Sequence, residues 1–195
     1  MAKNDRPYLI VVDAGHGGHD PGAVNGSYKE AAINLEFAQL LERHVLDGDY
    51  LFRVHLARRG DEFLTLQARC DVSNKMAPDA FISIHCNSAE NKEAEGFEVW
   101  TSRGNTIADS LATELYWAMM NAMPGLHGRS DLDDGDPDKE KDFYVLRHTK
   151  APAALIELDF ISNDLRAAWL TDRQNQETIA KELAAAIEFW LEGGK

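Results

Sequence analysis

Apolar and polar positions alternate along the chain in two rhythms. Residues 8–13 (YLIVVD) form a short apolar run closed by an acid and a glycine, the pattern of a buried strand. From Glu30 to about Leu46, Ile33, Phe37, Leu40, Leu41 and Val45 keep helical spacing and Gly48 follows, which predicts a helix and its stop. Residues 51–57 alternate and predict a strand, and Phe63, Leu66 and Val72 predict a second helix through Asn74. AFISIHC (80–86), entered after Pro78, and GFEVWT (96–101) predict two more strands. Ile107, Leu111, Leu115 and Met119 mark an amphipathic helix over 104–122. Residues 124–142 are rich in Gly, Asp and Pro and read as a solvated loop. FYVLR (143–147) and ALIELD (153–158) predict short strands, Asn163 starts a helix, and residues 174–192 form the last one.

Strands alternating with helices predict an α/β fold built on a mostly parallel sheet. No internal repeat and no linker interrupts the pattern, so residues 1–195 are expected to form a single domain. In such sheets ligands gather beyond the carboxyl ends of the strands. His16 follows the first strand, His85 ends the third and Glu157 lies near the end of the last. Three groups far apart in sequence are thereby expected at one sheet edge.

Composition narrows what that edge could bind. The formal net charge is −13 over 195 residues. A chain so acidic has no general affinity for nucleic acid or anionic membrane, and binding must rest on a local site. No apolar run has membrane length, and MAKNDRPY leads straight into a strand without a signal-peptide core. The expectation is a chain made in the cytoplasm, with no membrane insertion and no feature demanding more than a monomer. Cys70 and Cys86 are too few for a disulfide framework and are expected to be free and buried.

Two histidines and a carboxylate suit zinc, whose catalytic sites take three protein ligands and leave a fourth position to water. His16, Glu30 and His85 would supply that set. Glycines 15, 17 and 18 around His16 permit unusual backbone angles. From residues alone each member keeps an ordinary alternative: Glu30 as a favourable acid in a first helical turn, and His85 as a satisfied core histidine. Asp13, Asp20, Asn34 and Asn87 could orient a ligating histidine, although Asp and Asn in glycine-rich turns usually serve backbone hydrogen bonds. Arg58 and Arg69 read as ties between elements. His19, His44, His55, His127 and His148 read as surface or packing residues, His19 having the strongest further claim. The acidic run 131–138 lacks the glutamate that closes an EF-hand loop, which favours a flexible loop over a calcium site.

Taken in order, DAGHGGHDPGA (13–23), Glu30 with Asn34, LARRGD (56–61), L-x-x-R (66–69), FISIHCN (81–87) and LIELDFISN (155–163) resemble the zinc-dependent N-acetylmuramoyl-L-alanine amidases that cut peptidoglycan. The resemblance spans about residues 8–192. It implies a twisted sheet of about six strands flanked by helices, Zn2+ held by His16, Glu30 and His85, and Glu157 as the catalytic acid/base. It implies peptidoglycan as the substrate, cut between the lactyl group of N-acetylmuramic acid and L-alanine. Two positions depart from the family pattern. Ala57 stands where threonine is common, and Asp159 replaces a small residue and, by strand alternation, falls on the side of Glu157.

Some family members insert a helix over the zinc between the His85 strand and the next. Here NSAENKEAEG (87–96) leaves no room for one, which implies an open site. A compact amidase without leader or wall-binding repeats resembles a bacteriophage endolysin, released to the wall by a holin. The alternatives are a bacterial cell-wall-remodelling amidase without its export signal, which would act in the periplasm or outside the cell, and a zinc peptidase acting on the stem peptide. A non-catalytic wall-binding or zinc-storage module has no use for a base at position 157.

Overall fold

A computed structural model describes residues 7–133 and 135–193. The six-stranded sheet runs β4-β1-β5-β8-β6-β7. Its members are β1 (Tyr8–Ala14), β4 (Phe52–Leu56), β5 (Ala80–Asn87), β6 (Glu98–Thr101), β7 (Lys139–Glu140) and β8 (Ala153–Phe160). A separate hairpin pairs β2 (Val24–Asn25) with β3 (Tyr28–Lys29). The sheet is parallel throughout except where β6 runs antiparallel to β8. The mixed α/β expectation, with about six mostly parallel strands, is met.

The helices are α1 (Glu30–Asp47), α2 (Leu66–Met76), α3 (Ile107–Ala122), α4 (Tyr144–His148), α5 (Asp164–Leu170) and α6 (Arg173–Leu191). Strand alternation sends Ile10, Val12, Ile82, Ile84, Ala154 and Ile156 to one face, where they meet the apolar stripes of α1, α3 and α6. The opposite face carries Val11, Phe81, Ala153 and Leu155, which pack with Cys70 of α2 and Val145 and Leu146 of α4. Both cysteines are free and buried. On that second face the same alternation places Asp13, Ser83, His85 and Glu157 further along the strands, where apolar residues give way to polar ones. The chain steps from β1 out to β4 and returns across β1 to β5. Strand order therefore reverses between β1 and β5, and the crevice at their carboxyl ends is the place where such folds bind ligands.

Three expectations are corrected. FYVLR is not a strand: Tyr144–His148 is a helical turn, with Arg147 N donating to Phe143 O at 3.0 Å. A short unbroken apolar run fits either conformation. Here the neighbouring residues Val145 and Leu146 both bury on one sheet face, which a strand cannot arrange. The second helix starts at Leu66, after the Thr65 cap, and leaves Phe63 outside it. The stretch 124–142 is not wholly solvated: Leu126, Pro137 and Asp138 are buried and Lys139–Glu140 extends the sheet. Residues 1–6 and Asp134 of the stretches read above lie outside the described residues.

Arg58 and Arg69 are the ties the sequence suggested. Arg58 is buried and donates to the carbonyls of Ala14, Gly15, Gly60 and Ala31 at 2.8–2.9 Å. Arg69 pairs with the buried Asp13 at 2.6 Å and donates to Ala14 O and His16 O, both at 2.7 Å. The 13–16 turn has few amide partners of its own. These guanidinium groups satisfy its carbonyls and thereby fix the backbone that presents His16.

Candidate metal centre

His16 sits in the left-handed backbone region at φ 61°, where a non-glycine residue signals a constrained site. Gly17 N donates to Asp20 O at 2.8 Å, and Asp20 N to Gly17 O at 3.2 Å, closing a tight loop. Asp20 Oδ2 lies 2.8 Å from His16 Nδ1, which turns Nε2 towards Glu30 Oε1 at 3.1 Å. From β5, His85 Nδ1 approaches the same oxygen at 3.0 Å. His85 lies across Gly15, where a Cβ would fall 2.2 Å from its ring, and a Cβ at Gly22 would fall 2.6 Å from Glu30 Oε2. Glycine at 15 and 22 is thus a steric condition of the convergence.

Glu30 is the first residue of α1, yet its side chain does not cap that helix. Ala23 O and Pro21 O accept from the first helical amides, each at 3.0 Å. The carboxylate turns away instead and accepts from Ala23 N at 2.8 Å and Cys86 N at 3.1 Å. Burial pushes its pKa up, but hydrogen bonds to His16 and His85 win and hold it well below the usual carboxylate range. The hydrogen bond to Glu30, against burial, raises His16 to about 9.

One donor atom from each of His16, Glu30 and His85 lies within 4.8 Å of the others, and no second such group of three occurs among the described residues. Tetrahedral zinc with bonds near 2.0 Å spaces its donors about 3.3 Å apart. The 3.0 and 3.1 Å separations match that need, and two imidazoles with a carboxylate are a zinc-type donor set. The residues fit the ion.

Glu157 is the strand partner of His85 on one side and of Glu98 on the other. It lies in the sheet interior rather than at an exposed edge. Its Oε2 is enclosed and receives no hydrogen bond. Burial pushes the carboxyl up to about 7, with Glu98 and Glu30 adding to the rise and His85 opposing it. Asp159 takes no part. The pairing steps from His85–Glu157 to Asn87–Phe160, so β8 holds one residue more than β5 there, and the bulge breaks the alternation that would put 157 and 159 on one side. Asp159 is fully buried, paired with Arg166, and accepts from Gly96 N at 2.9 Å.

Of the four orienting candidates only Asp20 touches a histidine of the group. Asp13 serves Arg69 and Ser83, Asn34 reaches Gly15 O and Glu30 at 3.4 and 3.5 Å, and Asn87 donates to Glu98. His19 packs on Phe63 with ring centroids 4.1 Å apart. Sequence reasoning missed Glu98, a buried acid held by Arg129 at 2.8 Å and Lys139 at 3.1 Å. It also missed the apolar walls. A cleft of about 390 Å³ exposes His16, His85 and Glu157 between Phe63, Leu64 and Leu66 on one side and Phe143, Tyr144 and Val145 on the other. A larger cavity of about 660 Å³ opens at the other end of β1, beside Tyr8, Asp79 and Trp190. The His/Glu/His group lies away from it, so chemistry rather than volume locates the site.

Asp20→Ala frees the imidazole of His16 to rotate. Zinc affinity or activity is expected to fall about 10–100-fold, read by competition with a chromogenic chelator and by turnover, with the far-UV spectrum unchanged.

Known proteins share this fold. The catalytic domain of CwlV, an N-acetylmuramoyl-L-alanine amidase from Bacillus (Paenibacillus) polymyxa var. colistinus, superposes with a TM-score of 0.86 at 30% identity, covering 95% of this chain and 98% of that one. A Buchnera aphidicola subsp. Baizongia pistaciae protein bearing the name of an N-acetylmuramoyl-L-alanine amidase is 28% identical over 92% of this chain and 94% of its own. The N-acetylmuramoyl-L-alanine amidase AmiC of Escherichia coli O6:H1 is 27% identical over 99% of this chain, which spans 55% of its length. Residues 10–189 match the family described as N-acetylmuramoyl-L-alanine amidase (Amidase_3), and the chain therefore belongs to that family.

Proposed function

We propose that this protein is a zinc-dependent hydrolase of the amide bond joining the lactyl group of N-acetylmuramic acid to L-alanine in peptidoglycan. The single observation that carries the reading is an enclosed, unpartnered carboxylate, Glu157, placed opposite His85 at the edge of the His16–Glu30–His85 group. A zinc ion held by those three residues would supply Lewis-acid activation of a water and of the scissile carbonyl. The Glu157 carboxylate takes a proton from the attacking water and later delivers it to the departing L-alanine nitrogen. A carboxyl raised by burial is suited to both transfers. The Phe63 and Phe143 walls hold the substrate and shed water from the cleft. Asp20 keeps the imidazole of His16 in one orientation.

The test is product analysis of purified peptidoglycan by mass spectrometry. The expected products are an intact glycan and whole stem peptides with a new L-alanine amine. Cleavage within the stem would instead identify a peptidase, and no zinc-dependent cleavage would refute the reading.

Metal binding should follow the pH of His16. Without metal its imidazole stays protonated up to about 9 through Glu30, and zinc must displace that proton. Apparent zinc affinity is expected to rise about tenfold per pH unit as pH climbs towards 9 and to level off above it. The sign follows from a raised pKa: the imidazole keeps the proton that zinc must displace until the pH nears 9, and loses it as pH climbs through that value. A flat calorimetric profile across this range would contradict the His16–Glu30 pairing.

The proposed unit is one catalytic domain over residues 1–195, acting as a monomer. Of the two biological settings, endolysin and wall-remodelling enzyme, the first draws support from the 88–97 connection, which carries no helix over the cleft. The second draws support from the bacterial origin of the relatives above.

A further inference from the structure

The sheet face that carries Glu157 continues past it into a cluster of cations. Glu98 stands opposite Glu157 in the β6–β8 pairing, so the two side chains leave the same face. The buried Glu98 carboxylate collects four donors. Arg129 Nε and Lys139 Nζ reach its Oε1 at 2.8 and 3.1 Å, and Trp100 Nε1 and Asn87 Nδ2 reach its Oε2 at 3.1 and 3.2 Å. Lys139 Nζ and Lys141 Nζ both lie over the Trp100 ring, 4.9 and 5.8 Å from its centroid. That ring meets Phe143 edge-on at 5.5 Å, and Lys141 Nζ is 4.7 Å from the Phe143 centroid. Phe143 is a wall of the cleft that exposes His16, His85 and Glu157. The cations therefore border the cleft itself.

Their charge exceeds what the protein supplies to answer it. Arg129, Lys139 and Lys141 surround one carboxylate, in a chain whose net charge is −13. Among the described residues Arg129 donates through Nε alone, and its guanidinium is exposed. Lys141 is exposed and makes no ion pair among the described residues; it meets only the two aromatic rings. The acids on either side of it are engaged elsewhere: Glu140 accepts from Gly104 N at 3.0 Å and Asp142 pairs with Arg147 at 3.2 Å. The opposite wall of the cleft, Phe63, Leu64 and Leu66, carries no charge.

We propose that Arg129, Lys139 and Lys141 bind the stem peptide of peptidoglycan through the free α-carboxylate of its second residue, the γ-linked glutamate that follows L-alanine. The inference rests on the amidase reading and says which part of the substrate lies against β6. The lactyl carboxyl is consumed in the scissile amide, so the glycan half is uncharged there and the negative charge lies in the peptide. Neighbouring strands are about 5 Å apart, which puts the cations on Glu98 roughly 5–10 Å from Glu157. Two extended residues span about 7 Å, the reach from the scissile nitrogen to that carboxylate. A guanidinium with unused donors and ammonium groups beside it are suited to a carboxylate and far less to the neutral amide that replaces it when the residue is amidated.

The experiment uses the full zinc-loaded chain and two defined muropeptides with the same tetrapeptide stem. One carries the free α-carboxylate at the second residue and the other the α-amide. The wild type is expected to favour the free acid about tenfold in kcat/KM, mostly through KM. The preference should shrink in about 1 M salt, where the screening length is about 3 Å. Lys141→Gln and Arg129→Gln should each lower the ratio, and Lys141→Glu should reverse it. Lys141 is exposed and holds no carboxylate, so its variants should fold even where Arg129→Gln disturbs Glu98. The inference alone is overturned if the wild type cuts both muropeptides equally well, or if Lys141→Glu keeps the wild-type preference. Cleavage of neither by the wild type overturns the amidase reading, and the inference with it.

Discussion

Glu157→Gln is expected to retain zinc and to lose hydrolysis of purified peptidoglycan by about 10²–10⁴-fold, the range of a positioned acid/base. Glutamine keeps the volume and one oxygen, so the β5–β8–β6 packing around it is preserved. It cannot take a proton from water or give one to an amine. The pH profile sharpens the test. Burial holds the carboxyl near 7 without metal, and a dication beside His85 pulls it back down. The acidic limb of kcat/KM in the zinc enzyme should therefore fall below pH 7 and disappear from the residual activity of the variant. Zinc content by atomic absorption and turnover by reducing-end-independent amine release separate the two properties. Near-normal turnover would remove Glu157 from the mechanism.

His85→Ala is expected to lose both metal and activity. It removes one of the three proposed donors and also one of the hydrogen bonds that keep the Glu30 carboxylate ionised while buried. Dialysed protein should hold well under one zinc per chain, and hydrolysis should fall to background even when zinc is resupplied at the level that restores the wild type. The contrast with Glu157→Gln is the point: one variant is metal-replete and inactive, the other is metal-poor and inactive. A His85→Ala protein that keeps stoichiometric zinc would place the ion elsewhere.

Much of this was legible in the chain. The His16, Glu30, His85 and Glu157 positions could be named because glycine-flanked histidine and strand-end histidine are local signals, and because several family motifs recur in order. What failed shows where local signals stop. FYVLR is equally apolar as strand or helix; only packing made it α4, and with it one wall of the cleft. Asp159 was assigned to the side of Glu157 by strict alternation. A single extra residue in β8 moved it into a buried pair with Arg166. Glu98 carries no motif, and its importance comes from lying next to Glu157 across an antiparallel pairing that no spacing in the sequence encodes.

The sequence by itself determined the α/β layering, because hydrophobic period is a one-dimensional property that each segment carries alone. It also determined the residue types offered to a metal, since a glycine-flanked histidine constrains its own backbone. The tertiary structure decided the rest. It turned the Glu30 carboxylate away from its helix start by bringing His16 Nε2 and His85 Nδ1 to within 3.1 Å of one carboxylate oxygen. It selected Asp20 from four candidates, and it turned Asp138 from a solvated acid into a buried one. Burial, distance and the charge of neighbours from other strands fix what an ionisable group does, and none of these exists until the chain has closed.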